Sequence, residues 1–195
     1  MCECRIEWQP EAARSAAPAM VVVGCGNLCG GDFGIGLYAL DLLAKADLGP
    51  LAGRDVGLAC LAGAYHSLLP MLGQAAAGVI VTGVRLGKKP GTIRAWGLDR
   101  LRRHLRGIPE EPCGLRSLVD SLERLELSGS LPESLLLVLV EVETTHGVGL
   151  SSSARKALRS VVETILDHLA QCAAATKRMG IKPGLYALPD LDGIV

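Results

Sequence analysis

The chain has 195 residues, 49% of them hydrophobic but only 3% aromatic, and its 20 basic and 20 acidic side chains give a formal net charge of zero. That length fits one domain with a core built from Leu, Val and Ala, and the balanced charge offers no field to attract nucleic acid or an anionic membrane. The longest apolar run, 135–140, falls far short of the roughly 20 residues of a membrane span, and the N-terminus shows no signal-peptide core, so the expectation is a cytoplasmic protein.

Residues 1–19 mix charge, Ala and Pro without periodicity, and 177–195 carry Pro183, Pro189 and Gly193; both read as tails around a domain over 20–176. Within it, 20–23 is a short buried strand, and 35–46 is a helix with apolar residues at 35, 39, 42, 43 and 46. A second strand is expected over 56–61, a helix over 67–77 behind a Ser cap, and a third strand over 78–84. After the turn "RLGKKPGT", residues 93–97 are expected to fold back as an antiparallel hairpin strand at the sheet edge. Short basic and amphipathic helices follow over 99–105 and 116–127, then an apolar strand over 135–142. A long helix capped by Ser151 or Ser152 runs to about residue 175. This alternation predicts an α/β fold, a three-layer sandwich whose twisted, mainly parallel sheet of about five strands lies between helices, with one antiparallel edge strand.

Seven cysteines, an odd number in a chain too long to need staples, read as reduced thiols. Cys2 and Cys4 form a C-x-C, and Cys25 and Cys29 flank a glycine loop, so a thiolate metal site is conceivable beside the simpler reading of small buried thiols. The arginines of "RLRRHLRG", 100–107, could meet an acidic peptide or nucleic acid. Neutral net charge and few aromatics favour the solvated face of an amphipathic helix.

Function is expected beyond the carboxyl end of the first strand, in the loop "GCGNLCGGDFGIG". Its spacing, G-x-G-x-x-x-G, is longer than a dinucleotide fingerprint. Asp32 at the helix entrance would compete with a pyrophosphate, and no Gly-Lys-Ser/Thr of a P-loop follows. A serine, cysteine or aspartic protease arrangement is not evident either. Asp32 has no carboxylate partner, and Glu143 and His146 read as solvated turn residues.

The same loop resembles the N-terminal signature of the hydrogenase maturation proteases, the nickel-recognising endopeptidases that trim the C-terminus of [NiFe]-hydrogenase large subunits. That signature reads G-x-G-N, four variable residues, two adjacent acids, then x-x-G. Gly24, Gly26, Asn27, Asp32 and Gly36 match. The resemblance continues through "GVIVTGVRLGKKPGTIRAW", "LRSLVDSLERLELSGSLPESLLLVLVEVE" and "GVGLSSSARKAL", in the family's order over roughly 20–170.

The family implies a nickel-binding trio of a carboxylate, an Asp and a His. In this chain those positions fall on Phe33, Gly83 and Gly114, none of which can ligate a metal through its side chain, and Thr82 is no substitute for Asp. Asp32 is the remaining catalytic candidate, and Asp32, His66 and Cys113 are the conceivable substitute ligands. No cofactor is expected, nickel entering only with a rearranged site. The resemblance implies a role in hydrogenase large-subunit maturation, and the replaced positions make the expected role that of a non-catalytic binding or accessory factor for the precursor or an assembly factor. No nucleic-acid or membrane partner is expected from the charge balance. The alternatives are an active C-terminal endopeptidase with a rearranged site, and a small-ligand or nucleotide binder.

Overall fold

The computed structural model describes residues 20–46, 51, 56–62, 65–73, 75–106 and 114–176. The expected tails, 1–19 and 177–195, lie outside the described residues. Five strands, β1 (Met20–Cys25), β2 (Val56–Leu61), β3 (Ala77–Val84), β4 (Ile93–Trp96) and β5 (Ser134–Glu141), form one sheet in the order β2-β1-β3-β5-β4. The β2-β1, β1-β3 and β3-β5 pairs are parallel, and β4 runs antiparallel to β5. The expected α/β sandwich with an antiparallel edge is thus the observed one.

Two expectations need correcting. The edge strand does not fold back on β3 as a hairpin: β5 lies between them, with Ile93 opposite Val140 and Trp96 opposite Leu137. A strand as continuously apolar as "SLLLVLVE" is stable only with neighbours on both edges and helices on both faces, so it takes an interior place. The helix expected over 67–77 is instead a 3-10 turn, Tyr65–Ser67, leading into α2 (Leu68–Leu72). Pro70 is tolerated only in a first turn and Gly73 follows directly, so the helix stops there and Ala77 opens β3.

Four further helices complete the layers: α1 (Ile35–Lys45), α3 (Leu98–Leu105), α4 (Leu115–Leu127) and α5 (Ser152–Thr176). On one face α1 and α5 pack Ile35, Leu42, Leu158, Val162 and Ile165 against Val22, Val79, Val81 and Val140. On the other, α2, α3 and α4 pack Leu68, Leu101, Leu118 and Leu122 against Val23, Ile80 and Leu139. Alternation along each strand decides which core a residue joins. Ser151 caps α5 as expected, its Oγ accepting from Ala154 N at 3.2 Å. Buried Glu141 secures the β3–β4 connection, accepting from Leu86 N at 2.8 Å and pairing with Arg94 at 3.3 Å. Among the described residues no helix is long and apolar enough to cross a membrane.

Candidate functional site at the carboxyl ends of the strands

The glycines of the first loop are fixed by close backbone approach. A Cβ on Gly24 would lie 2.3 Å from Gly36 O, and one on Gly36 would lie 2.5 Å from both Cys25 O and Val81 O. The first turn of α1 therefore rests backbone to backbone on β1 and β3. Gly26, at φ +154°, has Phe33 O where a Cβ would go, at 1.9 Å. Asn27 shapes the turn, its Oδ1 accepting from Cys29 N and its carbonyl from Gly30 N, both at 2.9 Å.

Asp32 is fully buried. Its Oδ2 accepts from Glu143 N (2.8 Å), Thr144 N (3.1 Å) and Ser151 Oγ (2.8 Å), and its Oδ1 from Ser151 N (2.6 Å). Burial alone would raise its pKa, but the three backbone N–H donors and the serine hydroxyl outweigh that and hold it below the ordinary carboxylate value. The carboxylate ties the glycine loop to the connection between β5 and α5, and through Ser151 to the N-terminus of α5. A parallel bridge between Gly30 and Gly147 runs alongside it.

Beside this clamp opens a cleft of about 400 Å³ lined by Cys25, Asn27, Phe33, Tyr65, Thr82 and Gly83 among others. Phe33, the residue after the clamp, is half-buried in its wall. A Cβ on Gly83 would meet Val142 Cγ1 at 2.7 Å and Phe33 Cα at 3.1 Å, so the loop and the β5 end have closed over the space of a side chain there. Gly114 begins α4 in the left-handed region at φ +70°, and its open side faces the Tyr65 ring, 3.6 Å from a Cβ built on it. The Tyr65 hydroxyl in turn reaches Thr82 Oγ1 at 3.4 Å. Phe33 and Gly83 are thus direct neighbours, and Tyr65 spans from Gly114 to the strand residue before Gly83. Tyr65 was not among the sequence candidates, because only the 3-10 turn before α2 aims its ring across the strand ends.

The remaining candidates are dispersed. His66 is exposed, as are Glu143 and His146, and Cys113 lies outside the described residues. Among the described residues no three His, Cys, Asp or Glu side chains gather as a metal site. Cys25 reaches the cleft wall, but burial, and then the neighbouring Cys60, push its thiol up to about 12, so it is no nucleophile at neutral pH. Arg102 of the basic helix pairs with Asp99, Glu123 and Glu126, joining α3 to α4, while Arg94 and Arg100 stack on Trp96.

No protein-family model matches the sequence, and no curated protein does. Solved structures do match. The hydrogenase maturating endopeptidase HybD from Escherichia coli is 22% identical with a TM-score of 0.65, the match covering 78% of this chain and 93% of that one. A second endopeptidase structure from Escherichia coli gives 23% identity and a TM-score of 0.68 over 78% and 93% of the two chains. The [NiFe] hydrogenase maturation protease HybD from Thermococcus kodakarensis gives 21% and 0.59 over 77% and 98%. The chain has the fold of the hydrogenase maturation proteases.

Proposed function

We propose that this protein is a divergent member of the hydrogenase maturation protease family that binds a [NiFe]-hydrogenase large-subunit precursor, or a factor assembled with it, without cutting it. The observation that carries the reading is the state of the three positions to which the family resemblance assigns nickel recognition. Phe33 and Tyr65 bring rings to the cleft, Gly83 has no room for a side chain, and Gly114 begins a helix in a backbone conformation that disfavours one. The donors for a nickel ion carried by a precursor are absent from these positions. Asp32, the carboxylate that matches the signature, is committed to the clamp by four donors, three on Oδ2 and one on Oδ1.

The described residues nevertheless form a cleft at the carboxyl ends of the strands. Its wall combines apolar Phe33, Leu61 and Ala62 with the amide of Asn27 and the hydroxyls of Thr82 and Thr145, a surface suited to a peptide segment bearing an apolar side chain. The test is incubation of the purified protein with a nickel-loaded large-subunit precursor. Co-elution with an unshortened precursor by intact mass is expected, and Phe33→Glu should weaken it. A precursor shortened at its C-terminus would establish the active endopeptidase instead. Heat protection by nucleotides with no precursor binding would establish the small-ligand reading.

A further inference from the structure

At the opposite end of the sheet, where the strands begin, a second cavity of about 370 Å³ is lined by Met20, Ala77, Glu133, Ser134, His168 and Cys172 among others. Three of its polar atoms converge. Cys172 Sγ lies 3.3 Å from Ser134 Oγ and 3.6 Å from His168 Nε2, and Ser134 Oγ lies 3.4 Å from the same Nε2. His168 and Cys172 are four residues apart on α5, the spacing that puts two ligands on one helix face one turn apart, and Ser134 begins β5 beneath them.

We propose that His168 Nε2 and Cys172 Sγ form an open site for a thiophilic divalent ion of the zinc type, with Ser134 Oγ holding the third corner and the cavity supplying the remaining position. The size of the triangle carries the inference. Tetrahedral zinc with Zn–S of about 2.3 Å and Zn–N of about 2.0 Å requires its ligand atoms to lie about 3.5 Å apart. The three atoms already stand at about that separation, so an ion above them would displace their mutual hydrogen bonds while α5 keeps the two stronger ligands one turn apart. Imidazole and thiolate together select zinc, cobalt or nickel over magnesium or calcium. Among the described residues no third His, Cys, Asp or Glu joins the pair.

The experiment uses the full chain and the metal alone. Titration with Co²⁺ should produce a thiolate-to-cobalt charge-transfer band saturating at one equivalent and displaced by Zn²⁺. Cys172→Ser should abolish the band, and His168→Gln should weaken binding by at least about tenfold, since even indirect partners of a ligand are worth roughly 10–100-fold in metal affinity. The band should persist in the Cys2→Ser/Cys4→Ser double variant. In the unaltered chain, which needs no variant to fold, Zn²⁺ should slow iodoacetamide labelling of Cys172, read by peptide mass spectrometry. A band unchanged in Cys172→Ser, or Cys172 labelling indifferent to Zn²⁺, would overturn the proposal.

Discussion

The two ends of the sheet use their polar groups in opposite ways. At the carboxyl ends Asp32 is enclosed by four donors and Cys25 is held as a thiol by burial, so the groups that could do chemistry are either consumed by structure or silenced. At the amino ends Ser134, His168 and Cys172 are linked to one another by hydrogen bonds of 3.3 to 3.6 Å and line a cavity. The difference teaches that one sheet can spend its polar groups on fastening loops at one end and gather them against a cavity at the other. Substitutions at the carboxyl end should be read in stability, and those at the amino end in metal response.

The largest expected effect is that of Asp32→Ala. It would leave three backbone N–H groups and a hydroxyl without their acceptor, so a loss of at least about 3 kcal/mol is expected from urea unfolding, given about 1–3 kcal/mol for each buried group left unsatisfied. The pH dependence has a definite sign. The folded carboxyl has a lowered pKa, so its contribution is complete above the unfolded value of about 3.9 and is lost as pH falls through the folded one. Asp32→Asn should flatten that acid limb. A variant with unchanged midpoint and unchanged acid limb would break the assignment of Asp32 as a clamp.

Smaller effects should come from placing ligand-type side chains at the positions to which the family resemblance assigns nickel recognition. Gly83→Asp forces a Cβ against Val142 and Phe33 and a charge into a closed space, so it should destabilise by about 2 kcal/mol, in the range of overpacked cores. Gly114→His meets Tyr65 at ordinary contact distance and should cost mainly the left-handed backbone, about 1 kcal/mol. The triple variant Phe33→Glu/Gly83→Asp/Gly114→His should show no nickel binding by calorimetry, because the space at residue 83 has closed. Nickel binding by that variant would show that the cleft has room for a ligand set after all.

Much of this was legible in the sequence. The strand and helix periods along 20–46 and 115–176 placed β1, α1, α4, β5 and α5 nearly to the residue, because long amphipathic helices and continuously apolar strands have few alternatives. The Ser151 cap was legible for the same local reason. The partner of β4 was not, since a turn ending in "KKPGT" looks like a hairpin, and only the insertion of β5 from some forty residues later decides otherwise. The role of Asp32 was hidden in the same way, its partners lying 111 to 119 residues downstream. Tyr65 and the Ser134, His168 and Cys172 cluster depend on which strand ends meet which helix turns, and residue spacing on one element does not contain that.

The smallest stability effect, and the sharpest contrast with Asp32→Ala, belongs to Cys172→Ser. A hydroxyl can keep a hydrogen bond to Ser134 or His168 in place of the thiol, and Cys172 is only half-buried, so the urea midpoint should shift by less than about 1 kcal/mol. The metal response should nevertheless vanish, because the thiolate is the strongest donor of the set. Thermal melts of both chains with and without Zn²⁺ separate the two quantities: the ion should raise the melting temperature of the unaltered chain and leave that of Cys172→Ser where it was. A large loss of stability with no metal dependence in either chain would instead make the amino-end cluster a structural fastening like Asp32, and the contrast between the two ends would disappear.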